Sequence, residues 1–318
     1  MSYLAKFGYN EDYFNQLLRE VILSDSTLCH HEDYQQSLLK IMMNGGKRIR
    51  PLFVLLASDL NPEADIESCY LAAVAVELMH VASLIHDDII DKSDMRHDVT
   101  TLHEQFDTVA ALRLGNFTLN KSLELFSSFK IKTLHQEIAK TMNSLCLGEL
   151  QQQCDHFNFN LSIEDYLLKS YQKTGSLLSL SLVIGGSIAN LDSNLIHQLS
   201  EIGSTIGVAY QLKDDILDFT SHRDYIGKPV GYDLRNGIAT LPTIFALEDS
   251  LLREELLLLD STVDQTRFDF ICENIKDSHY IQKANDVCSQ YVLKSKELIQ
   301  HLPVAENQLL HLINLMFN

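Results

Sequence analysis

Between Pro62 and Pro229 the chain contains no proline, and apolar side chains recur through most of that stretch at helical spacing, as around Leu145, Leu147 and Leu150. Strict alternation of apolar and polar positions over many residues is rare. The pattern predicts an all-α bundle of roughly ten or more helices. Two segments, Cys69 to Asp91 and Ile202 to Asp218, are apolar nearly all round. Such segments belong at the centre of a bundle, since a surface helix keeps a polar face. Asn61-Pro62, Gly227-Lys228-Pro229 and Gly231-Tyr232-Asp233 read as loops. The stretch after Leu251 is rich in leucine and charge, carries no motif, and reads as packing helices.

Composition narrows this picture. With 318 residues, 46% apolar and 21% charged, the chain can bury a sizeable core. Only 13 Gly and 5 Pro occur, which argues against a turn-rich β-sandwich. No linker-like stretch divides the chain, so residues 1–318 are expected to form a single domain. The net charge of −18 repels phosphate backbones, and no nucleic-acid partner is expected. An acidic protein that binds a small anion needs metal ions or local basic pockets. The 6 Cys form no Cys-x-x-Cys pair and read as reduced, mostly buried thiols. The N-terminus shows no signal-peptide pattern, and no transmembrane segment is expected from the apolar runs. A cytoplasmic location follows by default.

One acidic pattern occurs twice: Asp87-Asp88-Ile89-Ile90-Asp91 and Asp214-Asp215-Ile216-Leu217-Asp218. Each closes one of the two most apolar segments. On a helix, positions i and i+4 lie one above the other, so Asp87 stacks with Asp91 and Asp214 with Asp218. Asp88 and Asp215 point elsewhere. Stacked carboxylates at a buried helix end repel unless something positive joins them. Oxygen ligands without His or Cys suit a hard cation such as Mg²⁺, which keeps waters and takes substrate phosphates. His80, two turns before Asp87, and Gln211, one turn before Asp214, share these faces. Gly45-Gly46-Lys47-Arg48-Ile49-Arg50-Pro51 joins a glycine pair to three cations suited to a phosphate. Lys173-Thr174-Gly175 and Lys228-Pro229 are weaker signals of the same kind.

These motifs, with Arg96, Gly148-Glu149, Gln152 and Tyr210-Gln211-Leu212-Lys213, resemble in order and spacing a trans-isoprenyl diphosphate synthase over about residues 40–245. Within that family the chain is most similar to the large catalytic component of bacterial heterodimeric hexaprenyl or heptaprenyl diphosphate synthases. The resemblance implies an isoprenoid-synthase bundle with a deep central cleft. It implies a prenyltransferase that adds isopentenyl diphosphate to an allylic diphosphate such as farnesyl diphosphate. It further implies two to three Mg²⁺ held by Asp87, Asp91 and Asp214, with Asp218 nearby. Arg96, Lys173, Thr174, Gln211 and Lys228 would bind the allylic diphosphate, and Lys47, Arg50 and His80 the diphosphate of isopentenyl diphosphate. The partner would be a small non-catalytic subunit, or otherwise a second copy in a homodimer.

Two positions depart from the family pattern. Arg96-His97-Asp98-Val99-Thr100-Thr101 stands where Arg-Arg-Gly-Lys-Pro-Thr is usual, so His97 replaces an arginine that binds isopentenyl diphosphate and is a weaker candidate for that role. Ile238 stands where many members have lysine. Chain length in the family is set by bulk just before the first motif. Here those positions are Ala82 and Ser83, which predicts an open tunnel and a long product. A terpene cyclase usually lacks the second Asp-rich motif and the Gly-Gly-Lys-x-x-Arg site. A non-catalytic prenyl-diphosphate-binding subunit would be expected to lose one of the acidic motifs.

Overall fold

In the computed structural model, residues 2–26, 28–44, 46–220, 230–260, 262–276, 278–302 and 306–317 are described. The chain runs α1 (Tyr3–Lys6), α2 (Glu11–Leu23), α3 (Glu32–Met43), α4 (Ile49–Ser58) and α5 (Ile66–Ile90) into a hairpin of β1 (Met95–Arg96) and β2 (Val99–Thr100). There follow α6 (Leu102–Gln105), α7 (Thr108–Ser128), α8 (Lys132–Cys154) and α9 (Ile163–Ser170). A π turn, Tyr171–Gly175, leads into α10 (Ser176–Ile188) and α11 (Ser193–Thr220). The remainder is α12 (Tyr232–Arg235), α13 (Leu241–Ala246), α14 (Ser250–Leu257), α15 (Gln265–Lys276), α16 (His279–Gln300) and α17 (Glu306–Phe317). Among the described residues the fold is all-α apart from one two-stranded antiparallel hairpin.

The chain divides into two compact units, Met1–Gln136 with Ser181–Leu199, and Glu137–Leu180 with Ser200–Asn318. In the first, α5 packs along α7 and against α4. Its residues from Cys69 to Ala82 are buried on nearly every side, apart from Leu71 and His80, which is why the segment has no polar face. By length and composition alone α5 is long and apolar enough to cross a membrane, against the expectation from the sequence. In its most apolar window 72% is buried inside the fold, which makes it a core helix. The buried Glu77 on α5 pairs with the buried Arg48, which also donates to the Met42 carbonyl at 2.5 Å. Pairing of this kind offsets the cost of burying either charge.

The second unit has its own core, built from Phe159, Tyr166, Phe219, Leu241, Phe268 and Ile271 among others. Near α10, α11 comes unusually close: a Cβ at Gly207 would lie 2.3 Å from Gly175 Cα, and one at Gly203 2.5 Å from Ser179 Cα. Glycine is required at both because backbone occupies the space of a side chain. The thiols divide evenly: Cys69, Cys272 and Cys288 are buried, but Cys29, Cys146 and Cys154 are exposed, which corrects the reading of mostly buried cysteines.

Candidate active site

In the first unit, α5 starts on Asp65, whose carboxylate accepts from Ser68 N at 3.1 Å, and ends at its Asp-rich motif. Asp91 N–H reaches Asp87 O at 2.8 Å, so the i, i+4 stacking of the two residues holds to the last turn. Ser93 N–H then closes on Asp88 O at 3.0 Å, with Lys92 at φ 51, a left-handed stop made without glycine. Asp87 is half-buried, Asp91 exposed and Asp88 buried. Asp88 is satisfied by Arg96, whose Nε donates to it at 2.9 Å and Nη2 at 2.5 Å. Burial raises the Asp88 carboxyl and the Arg96 guanidinium lowers it. The hairpin carries Arg96 back to α5 because His97 and Asp98, at φ 48 and 62, form its two-residue turn. His97 itself is exposed at that turn, and its carbonyl accepts from Asn44 Nδ2 at 2.7 Å.

The three cations of the glycine-rich loop take different roles. Arg48 turns into the core at φ 54 to meet Glu77. Lys47 is exposed; its carbonyl accepts from Tyr3 N at 2.9 Å and its ammonium lies 6.0 Å from the Tyr3 ring centre. Arg50 Nη1 lies 3.0 Å from His80 Nε2, so α4 and α5 bring these two expected site residues together. Arginine is always a donor, so Nε2 accepts and the imidazole proton sits on Nδ1. Burial, with Arg50 and then Arg48, Arg96 and His97 adding to it, holds His80 well below the ordinary histidine range. A neutral His80 orients Arg50. Ala82 is 1% exposed, and Ser83 Oγ donates to His80 O at 2.8 Å.

In the second unit, the π turn projects Lys173 and Thr174. Lys173 Nζ donates to Gln152 Oε1 at 2.9 Å, and Thr174 Oγ1 to Gln211 Oε1 at 2.6 Å. The close Gly175–Gly207 approach lies one residue from Thr174 in the chain. Gln211 Nε2 donates in turn to Asp215 Oδ1 at 2.7 Å, and Tyr166 OH to Asp215 Oδ2 at 2.6 Å. Gln211 therefore serves Asp215 and not the outer carboxylates. Burial, and next the neighbouring Asp233, push the Asp215 carboxyl up to about 7. Asp214 is exposed, while Asp218 accepts from Tyr232 N at 3.1 Å and Asp233 N at 3.2 Å. Lys169, absent from the sequence expectations, is buried here with its ammonium on Ala239 O at 3.1 Å. Burial lowers its pKa, with Asp215 acting against that. Lys228 lies outside the described residues.

Among the described residues no group of three or more His, Cys, Asp or Glu lies close enough together to hold a metal ion by itself. Open pairs of carboxylates at helix ends suit a hard cation that completes its shell with water and phosphate oxygen, and do not suit zinc. Asn44, Glu77, Tyr166 and Lys169 carried no motif; each matters through a partner distant in the chain.

The sequence profile of the polyprenyl synthetase family matches residues 31–269. The chain belongs to that family. It is 34% identical over 292 residues to heptaprenyl diphosphate synthase component 2 of Bacillus subtilis, covering 92% of this chain and 82% of that protein. To the component 2 protein of Geobacillus stearothermophilus it is 33% identical, covering 85% and 84%. Among solved structures, heptaprenyl diphosphate synthase from Staphylococcus aureus superposes with a TM-score of 0.89 at 36% identity, covering 96% of each chain. Polyprenyl synthase from Caulobacter crescentus, complexed with calcium and isoprenyl diphosphate, gives 0.86 at 26% identity, covering 96% and 93%. As a polyprenyl synthetase, the chain is a prenyltransferase.

Proposed function

We propose that the chain extends an allylic diphosphate such as farnesyl diphosphate with isopentenyl diphosphate to an all-trans hexaprenyl or heptaprenyl diphosphate. It is a medium- to long-chain polyprenyl diphosphate synthase. The observation that carries the residue assignment is shared by both acidic motifs. The middle carboxylate of each is engaged by its own unit, Asp88 by Arg96 and Asp215 by Tyr166 and Gln211, while Asp91 and Asp214 are exposed. Asp87, Asp91, Asp214 and Asp218 would hold two to three Mg²⁺. When bound, these ions screen the charge of the departing diphosphate. Lys173 and Thr174 donate to that diphosphate, Thr174 with its orientation set through Gln211. Lys47 and Arg50 hold the diphosphate of isopentenyl diphosphate, with His80 keeping Arg50 in place. The allylic C–O bond ionises, the alkene attacks the allylic carbocation, and the proton lost from the adduct passes to the released diphosphate. Preorganised donors at the developing charge supply most of such a rate gain.

Residues 1–318 act as one catalytic domain in the cytoplasm, paired with a small non-catalytic subunit, as the component 2 names of the relatives suggest; a homodimer is the other arrangement. The test is incorporation of labelled isopentenyl diphosphate with farnesyl diphosphate and Mg²⁺, with and without a co-expressed small subunit, followed by mass measurement of the dephosphorylated product. Mg²⁺-dependent product is expected. No product in either case would leave a non-catalytic binding subunit. Ala82→Tyr should shorten the product; an unchanged mass distribution removes the tunnel assignment from that position.

A further inference from the structure

Lys169 sits where an ammonium is costly. Its residue is 7% exposed, and its Nζ donates to Ala239 O at 3.1 Å, 5.8 Å from the Tyr166 ring centre. An ammonium carries three donors, and among the described residues this carbonyl is its one acceptor within hydrogen-bond distance. Lys169 and Lys173, four residues apart, line the same cavity of about 30 Å³, together with Gln152, Gln211, Asp215 and Asp233. A polar cavity of that size has room for water. Like charges at this spacing repel. Asp215 and Asp233 attract any cation that enters the cavity, yet Asp215 already has two neutral donors in Tyr166 and Gln211. Lys169 is therefore not needed to satisfy Asp215 hydrogen bonds. What it changes is the field felt by Lys173. Without the buried charge, the flexible Lys173 side chain would be drawn toward the two carboxylates and away from Gln152, which it meets at 2.9 Å.

We propose that Lys169 is a positioning residue for the allylic diphosphate: its buried charge shields Asp215 and Asp233 and keeps the Lys173 ammonium at Gln152, where it meets the diphosphate. This rests on the assignment of Lys173 made above and deepens it. Lys169 acts through Lys173 and does not touch the substrate.

The experiment measures KM for farnesyl diphosphate and for isopentenyl diphosphate in the full chain, with its small subunit if activity requires one. Lys169→Met should raise KM for farnesyl diphosphate about tenfold, equal to about 1.4 kcal/mol, and change that for isopentenyl diphosphate less than about twofold. Lys169→Arg, which keeps the charge, should restore the first value. Lys169→Gln keeps a donor for Ala239 and replaces the Met variant if that variant does not fold. In a double variant with Lys173→Ala, removal of Lys169 should add nothing to the loss caused by removal of Lys173. Unchanged farnesyl diphosphate kinetics in Lys169→Met, with a raised KM in Lys173→Ala, overturns the inference and leaves the site intact. Additive losses, or equal rises for both substrates, also overturn it, because they mark a general structural role. If Lys173→Ala itself leaves farnesyl diphosphate binding unchanged, the underlying assignment of the site fails.

Discussion

The two acidic motifs share a pattern but not an environment. At the end of α5 the middle carboxylate meets a cation: Asp88 is 5% exposed and Arg96 27% exposed by side chain, and the guanidinium donates twice. In α11 the middle carboxylate meets neutral donors, the Tyr166 hydroxyl and the Gln211 amide, and is pushed up to about 7. The outer residues differ as well. Asp91 is an exposed helix cap, while Asp218 is tied to the backbone N–H groups of Tyr232 and Asp233 at the start of α12. The cations follow the same division. The first unit sets Arg50 beside a neutral histidine and Arg96 on Asp88, with Lys47 exposed on the loop. The second relies on two lysines, one of them buried beside carboxylates. A repeated sequence motif thus specifies where the carboxylates point, and its surroundings decide how each is held.

The largest effect tests whether the two ends serve one reaction. Asp87→Ala and Asp214→Ala should each lower condensation by about 10³-fold, roughly 4 kcal/mol of lost transition-state stabilisation. Steady-state incorporation of isopentenyl diphosphate at saturating Mg²⁺ is the measurement. Near-wild-type activity in either variant breaks the parallel and removes that motif from the chemistry. A smaller effect sharpens the contrast between the middle residues. Asp88→Asn leaves Arg96 partly buried without its charged partner, and should cost about 2 kcal/mol of stability in urea unfolding. Asp215→Asn removes a buried charge that no cation among the described residues neutralises within hydrogen-bond distance, and should cost under about 1 kcal/mol at pH 8. Equal costs would mean that the two environments do not differ in the way their hydrogen bonds indicate.

Much of this was legible in the sequence because it is local. The apolar run ending at Asp91 announces a central helix, and i, i+4 spacing alone stacks Asp87 on Asp91. Lys173 and Thr174 are visible as a motif, but the π turn that carries them is not; it ends at Gly175, where Gly207 of α11, 32 positions on, comes close. Arg48 looked like a third phosphate ligand and is instead the internal partner of Glu77, 29 residues away. Gln211 appeared to belong with Asp214, yet a rotation of about 100° per residue places its amide over Asp215. Lys169 was invisible for the same reason in stronger form. A lysine in an amphipathic segment reads as solvent-facing until the fold shows Ala239 and the buried carboxylates around it. Periodicity reveals which face a residue occupies; it does not reveal what waits opposite.

The smallest effect concerns the charge state of the first unit's proposed phosphate-binding half. His80 is held neutral by burial and by the arginines around it, Arg50 first and then Arg48 and Arg96, with His97 adding to their field. An unfolded histidine titrates near 6.5. Below that pH the unfolded chain takes up a proton that the folded chain refuses, so the unfolded state binds more protons and stability must fall as pH falls. The window opens at about 6.5 and extends downward toward the depressed folded value, with a limiting slope of about 1.4 kcal/mol per pH unit for one proton. His80→Gln keeps an acceptor for Arg50 and cannot titrate. Unfolding in urea at pH 8 and pH 5.5 should therefore show the original chain losing up to about 1.4 kcal/mol more than the variant between the two conditions. Carboxylates also titrate over this range, but they contribute equally to both chains and cancel in the difference. If the two chains lose stability in parallel, His80 accepts its proton in the folded state. Arg50 would then face an imidazolium, and the fixed-charge description of this half would be wrong.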